Sequence, residues 1–366
     1  MRTRKVGDTT IEYPDEIAFC FNPIVINILG HAWECVEAVI TDVESGNFNS
    51  ERRVMFGTSC FFDISFYAQS YFDQVDFNKV DYKKIGAQDS GLGRLFSIEM
   101  NFYSDSTTLA NSFQFNTFIV WGAMKVGEKY NGNRVMTWFK HFPFSVGMYS
   151  STKATIYVVS DGSRLPSIEL SDRRVWNIIL DDYIDADKEL IINLPANGVT
   201  ASVFDHTFDF TFLGILNESS TVRLLVDDSM TGIYLRWIDR HGYYCYWLFT
   251  SGDENRQVTN DGEFIRNNMQ DYSYANGYHG GAGRKQRKTE EYALPICAPL
   301  IDSDTYDFLF QLATSPVVDM YAGKDMYGVD RWLAVNIAVG SYNKTRAALQ
   351  DFVCTIILPE TNVQGL

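Results

Sequence analysis

Strict two-residue alternation of apolar and polar side chains is the feature that most narrows what this chain can become. In RLFSIEMNFY, Phe96, Ile98, Met100 and Phe102 share one face, while Ser97, Glu99 and Asn101 share the other. Phe113, Phe115, Thr117, Ile119 and Trp121 repeat the pattern. Phe204, His206, Phe208, Phe210 and Phe212 alternate with Asp205, Thr207, Asp209 and Thr211. Leu333, Val335, Ile337 and Val339 form a further face, as do Phe352, Cys354, Ile356 and Leu358. A period of two places successive side chains on opposite sides of a pleated strand and gives a helix no apolar stripe. The composition agrees: Phe, Tyr and Trp make 15% of the chain, and aromatics favour pleated, half-buried surfaces. The expected fold is mainly β, with two β-sandwich or barrel-like domains, one or two short helices and a long polar loop.

Two domains follow from the length, 366 residues at roughly 150 per domain. The segment SDGSRLPSIELSDRR interrupts the strands near 160–175 and sets the expected division at 1–165 and 166–366. Helical signals are few. TSCFFDISFYAQSYF (58–72) fits one short helix. DSDTYDFLFQLATS (302–315) is the better case, with Asp302 or Ser303 as cap, acidic residues in its first turn and Pro316 as its stop. Phe308, Leu309 and Leu312 would face a sheet.

The clearest hairpin is GIYLRWIDRHGYYCYWLF (232–249), two aromatic strands around a turn at Asp239, Arg240, His241 and Gly242. Its Tyr234, Trp237, Tyr244, Tyr246 and Trp247 have two readings: a core or subunit contact, or a platform on which sugar rings stack. After it the apolar pattern collapses. Residues 251–291 are polar and rich in Asn and Gly, and they read as a long inserted loop, an arm that orders on a partner. The polar tail, 359–366, is a second candidate arm. Within 251–291 lies a basic cluster, Arg284, Lys285, Arg287 and Lys288, the candidate tether for an acidic neighbour.

The charge balance makes that cluster conspicuous. Lys plus Arg is 31 and Asp plus Glu is 46, so the net charge is 31 − 46 = −15. So acidic a chain repels phosphates and is not expected to hold nucleic acid over a broad face. No run approaches 18 uncharged apolar residues, so no membrane-spanning helix is expected. The first residues, MRTRKVGDTTIEYPDE, lack the apolar stretch of a secretory signal. Cys20, Cys35, Cys60, Cys245, Cys297 and Cys354 are scattered, with no CxxC pair, and are expected as free thiols in a reducing cytosol.

Motifs for chemistry fail on spacing. GYHGGAGRKQRKT (277–289) puts Ala282 where a phosphate loop needs its second glycine. SGLGRLF (90–96) puts Phe96 at the third glycine of a dinucleotide fingerprint. No HExxH and no GxSxG elbow occurs, and His31 and Cys35 lack a second ligand pair. The carboxylates Asp181, Asp182, Asp185, Asp187 and Glu189, and Asp302, Asp304 and Asp307, lack the central glycine of a calcium loop. Neither a catalytic residue, a cofactor nor a metal is therefore expected, and the chain reads as a non-enzyme.

Five segments together resemble the uncharacterised tail- and baseplate-type structural proteins encoded by phages and prophages of gut Bacteroidetes. They are EYPDEIAFCFNPIVINI (12–28), FIVWGAMKVGE (118–128), WFKHFPFSVGMY (138–149), IYLRWIDRHGYYCYWLF (233–249) and LQDFVCTIILPETNVQGL (349–366). The resemblance implies a non-enzymatic tail, baseplate or neck subunit of a phage-like particle. Such a subunit would be made in the bacterial host cytoplasm and act by self-assembly with copies of itself and other virion proteins. The resemblance transfers no site residues. The alternative from the residues themselves is a cell-surface or secreted glycan-binding β module.

Overall fold

The computed structural model describes residues 1–31, 33–72, 75–124, 134–150, 154–160, 163–164, 168–170, 174–180, 190–193, 221–264, 275, 284–359 and 361–365. The fold is mainly β, with strands over 56% of residues and helix over 8%. The two helices among the described residues are short: α1 is Ser65–Phe72 and α2 is Ser303–Thr314.

Two compact units emerge. One comprises Met1–Met230 with Trp237–Tyr246, and the other Thr231–Arg236 with Trp247–Leu366. The expected division at 165/166 therefore falls inside the first unit. The reason is pairing. Strand Ala154–Ser160, before that point, pairs with Ser163–Arg164, Ile168–Leu170 and Leu190–Asn193 after it. The breaks near 160–175 are turns within sheets, and a turn carries the same Gly, Pro and Ser signals as a linker.

The first unit is built on the alternation. A five-stranded sheet runs in the order Ile17–Phe19, Leu109–Val120, Gly93–Tyr103, Cys35–Asp42, Phe48–Val54. Phe96, Ile98, Met100 and Phe102 are all fully buried from its central strand. A four-stranded sheet of Arg2–Val6, Thr9–Tyr13, Val25–Leu29 and Ser59–Asp63 supplies Ile11, Ile26, Ile28 and Phe62 to the core. Tyr13 meets Phe113 and Phe115 of the first sheet at 5.2 and 4.7 Å between ring centroids. The segment 58–72 is not one helix. Ser59–Asp63 is a strand, and Asp63 Oδ1 accepts the Ser65 and Ile24 backbone N–H groups at the turn into α1.

In the second unit, strand Gln350–Ile357 buries Phe352, Cys354 and Ile356, as the alternation requires. The run 333–339 does not hold together as one face. It divides into Asp330–Ala334, paired with Val318–Lys324, and Asn336–Ile337, paired with Gln350–Ile357. Val335 is buried at the break, while Leu333 and Val339 are exposed. α2 turns Tyr306, Leu309 and Leu312 inward, with Phe308 half-buried. Tyr306 packs edge-on against Phe352 at 5.4 Å.

The largest departure from expectation is 251–291. Its described part is not a loop. Asn255–Phe264 and Arg284–Ile301 pair antiparallel, from Asn255 opposite Ala293 to Phe264 opposite Arg284. The tail is a strand as well: Thr361–Gly365 pairs with the other edge of Arg284–Ile301. The result is a three-stranded ribbon around one 18-residue strand, about 60 Å long at strand rise. Strand pairing through the backbone needs no apolar alternation, which is why the sequence concealed it. The alternation at 204–212, with His206, the carboxylates at 181–189, and Tyr272, Tyr274 and Tyr278 lie outside the described residues.

Asp302 is the N-cap of α2, and its Oδ1 accepts the Thr305 backbone N–H at 2.7 Å. That bond holds its carboxyl below the usual carboxylate range. A carboxyl lowered in the folded state stabilises above its unfolded pKa and loses that contribution as pH falls through the folded value. Asp302→Ala should therefore cost about 1 kcal/mol at pH 7 by urea denaturation. The gap from wild type should narrow below about pH 4.

Candidate functional site

The structure separates the expected interaction residues into two environments. The hairpin forms as read, from strands Ile233–Ile238 and Tyr244–Ser251. Asp239 shapes its turn, with one carboxylate oxygen accepting the backbone N–H groups of His241 and Tyr243, each at 2.9 Å. Gly242 adopts φ +81°, and a Cβ there would come within 2.5 Å of the Trp121 carbonyl oxygen. Glycine is thus required at this close approach.

Burial decides what the hairpin aromatics do. Trp237 is 0% exposed and Tyr234, Tyr244 and Tyr246 are 1% exposed; Trp247 is half-buried. The Tyr246 hydroxyl lies 2.9 Å from that of Tyr82 and 2.7 Å from the Ser145 hydroxyl. Tyr244 donates to the Phe77 carbonyl at 2.8 Å. Trp247 meets Phe308 of α2 at 6.4 Å between rings. A sugar cannot stack on a ring that presents no face to solvent, so Tyr234, Trp237, Tyr244 and Tyr246 serve the core instead.

The neighbouring Arg236 is also interior, with a relative exposure of 1%. Its Nη2 donates to Asp319 Oδ2 at 2.6 Å and its Nε to the same oxygen at 3.2 Å. The guanidinium carbon sits 4.3 Å above the Trp332 ring. Trp332 in turn meets Tyr321 at 5.3 Å, and the Tyr321 hydroxyl donates to Asp330 Oδ1. Burial, with this bond to a carboxylate, pushes the Tyr321 hydroxyl well above its ordinary value. This is a buried charged pair set against aromatic rings.

No reactive thiol stands out. All six cysteines are free, and burial pushes Cys20 and Cys354 up to about 12, which keeps them protonated and poorly nucleophilic. Among the described residues no three His, Cys, Asp or Glu side chains gather as a metal site. None of the described helices is long and apolar enough to cross a membrane.

The basic cluster has the other environment. Arg284, Lys285, Arg287 and Lys288 all lie on the ribbon's middle strand. Arg287 and Lys288 are exposed, as are Asn255, Arg256, Val258 and Gly262 on the strand beside them. Among the described residues of this stretch, positions of both parities are exposed. Toward the base, Arg256 donates to Glu254 Oε1 at 3.1 Å, approaches Glu290 at 3.8 Å and lies 4.7 Å over the Tyr292 ring. Burial begins only at Ile296 and Ala298. The candidate functional site is this ribbon. The sequence marked its charges but not its form.

No protein-family model matches the chain, and no curated protein matches it. Among solved structures, it is similar to a chain described under host cell surface retention of a 1.5-MDa bacterial ice-binding adhesin. The match covers 93% of this chain and 91% of that chain at 8% identity, with a TM-score of 0.16. At that score nothing about fold or activity carries from one chain to the other.

Two substitutions test the interior assignment. Trp237→Ala should destabilise by about 3–5 kcal/mol in chemical denaturation, as loss of a buried large aromatic does. Asp319→Ala should cost a similar amount, about 3–5 kcal/mol, because the buried Arg236 would lose a carboxylate that it bonds through two nitrogens. The double replacement Arg236→Met with Asp319→Leu should recover most of that loss.

Proposed function

We propose that this protein is a non-enzymatic structural subunit that acts by self-assembly and partner contacts, with the ribbon as its arm. The observation that carries the proposal is the ribbon itself. Three strands continue past the buried part of the sheet, with Asn255, Arg256, Val258, Gly262, Arg287 and Lys288 exposed on two of them and the outer edges of Asn255–Phe264 and Thr361–Gly365 unpaired among the described residues. Folding gains little from extending a sheet into water, since neither face removes apolar surface from solvent. A surface of this kind has its use in a second molecule. The resemblance to phage and prophage tail and baseplate proteins supplies the setting we propose: a subunit of a tail, baseplate or neck, assembled in the host cytoplasm.

The test removes the arm and reads assembly. Residues 255–288 are replaced by a short Gly/Ser linker and 361–366 are deleted, because the tail strand would lose its pairing partner. Light scattering then compares oligomer mass with wild type from low to high salt. Wild type should associate at high concentration, more weakly as salt rises. The variant should fold, with an unchanged strand-dominated circular dichroism spectrum, and associate less with little salt response. Identical association of both proteins would refute the arm, and a wild type that stays monomeric at every concentration would remove the assembly proposal.

A further inference from the structure

A second surface stands in the first unit, on the outer face of its five-stranded sheet. Phe96, Ile98, Met100 and Phe102 fill the inner face of Gly93–Tyr103, so alternation turns Glu99 and Asn101 outward. Register extends this face across the neighbouring strands. Asn101 has Ser112 directly opposite on one side and Glu37 on the other, and Arg52 follows Glu37 on the edge strand. Glu99 and Ser112 are exposed. Asn101 between them is only 9% exposed, yet its Oδ1 has no hydrogen-bond partner. A desolvated carboxamide without a bond costs folding free energy, and buried polar groups in native proteins are nearly always bonded. Glu37 spends one oxygen internally, where Oε2 accepts the Tyr103 hydroxyl at 2.9 Å. Arg52 is occupied too. Its Nε and Nη2 donate to Cys35 Sγ at 3.0 and 2.9 Å, and its guanidinium carbon lies 4.3 Å over the Tyr103 ring. This clip holds Glu37 in place beside Asn101. On the same face, four residues along the edge strand from Arg52, Phe48 is 66% exposed.

We propose that this face binds a neutral, polyhydroxylated ligand, a segment of glycan chain, with Phe48 as the stacking platform and Asn101, Glu37 and Glu99 bonded to sugar hydroxyls. A hydroxyl both donates and accepts, so one kind of group satisfies carboxylates, which only accept, and a carboxamide, which does both. The apolar side of a sugar ring needs an aromatic face open to solvent. Phe48 offers one on this polar surface, whereas the aromatics of the hairpin are buried. Strand spacing and rise put Phe48 about 12 Å from Glu99 and about 17 Å from Asn101 between backbones. One ring cannot bridge that distance, so the ligand is an oligomer. A calcium ion is a poorer match. It draws six to eight oxygens, and among the described residues no three His, Cys, Asp or Glu side chains gather as a metal site. The surface lies in the first unit and depends neither on the ribbon nor on assembly.

The experiment titrates the full chain with maltohexaose, cellohexaose, mannohexaose, xylohexaose and chitohexaose by calorimetry, at low and high salt. Wild type should bind at least one of them, equally at both salt concentrations because the ligand is neutral. Asn101→Leu and Phe48→Ser should each weaken that binding roughly two- to tenfold, the loss of one hydrogen bond or one stacked ring. Asn101→Leu should melt at or above the wild-type temperature, since an apolar group of similar shape removes the cost of an unbonded amide. That readout separates a binding role from a structural one. Tyr327→Ser removes a ring that is 78% exposed in the second unit and should leave binding unchanged. No binding of any hexasaccharide by wild type, or wild-type affinity in both Asn101→Leu and Phe48→Ser, would overturn the inference. Binding of a lysine-rich peptide instead, lost at high salt, would make this a cation-binding face and overturn it as well. A fall in oligomer mass in Phe48→Ser, with no glycan bound by wild type, would make it a contact between copies. A monomeric wild type that still binds a hexasaccharide would refute the proposed assembly and leave this inference standing.

Discussion

The backbone of Arg284–Ile301 is the constraint on which the second unit's sheet is arranged. One edge of this strand takes Tyr244–Ser251 and then Asn255–Phe264. Its other edge takes Gln350–Ile357 and then Thr361–Gly365. On both edges one partner strand gives way to the next at nearly the same level, after Ser251 on one side and after Ile357 on the other. That level is where burial stops. Below it, Ile296, Ala298, Phe352 and Cys354 are buried, and α2 adds Tyr306, Leu309 and Leu312 to the core. Above it, the strands have only their ladder bonds, worth about 0.5–1.5 kcal/mol net each, and the pairs between facing side chains. Cooperative continuity with the buried half keeps the exposed half formed, and the exposed half therefore belongs at the low end of local stability.

What the sequence revealed follows from the same distinction. Alternation marks a strand only when one face is dry. Gly93–Tyr103 and Gln350–Ile357 each have one dry face, and both were legible residue by residue. α2 was legible because its cap, its apolar face and Pro316 all agree. The ribbon has two wet faces, so RQVTND and RKQRK carry no period, and their Asn and charge content mimics a loop. The true division between units was hidden for a related reason. A chain that leaves a sheet for a tight turn and one that leaves it for a linker use the same residues, and only pairing partners tell them apart. The hairpin aromatics were a further ambiguity. Trp237 and Tyr244 have the same composition signature whether they face a sugar or a core, and only the packing around them decides.

The buried Arg236–Asp319 pair shows how the second unit treats charge in its interior, in contrast with the ribbon. Inside, a single cation is desolvated, bonded through two nitrogens to one carboxylate oxygen and stacked on Trp332. Such a pair resists solvent and salt, and it fixes geometry more than it adds stability. On the ribbon Arg256, Arg287 and Lys288 are exposed, where screening is strong. The two arrangements fit different tasks: one locks a core in a single packing, and the other leaves charge available outside it.

Magnitudes then limit what the ribbon can accomplish. Two exposed cations such as Arg287 and Lys288 against an acidic surface would supply about 0.4–2 kcal/mol together. Bringing two free molecules together costs at least about 4 kcal/mol in lost translation and rotation. The ribbon's charges therefore cannot hold a dimer by themselves. They become effective once another contact has already brought the copies together, because the ribbon then acts intramolecularly at a high effective concentration. In a closed ring every subunit both gives and receives such a contact, and the association cost is already met by the body interface. An arm of this strength would select register and neighbour, and affinity would have to come from another contact.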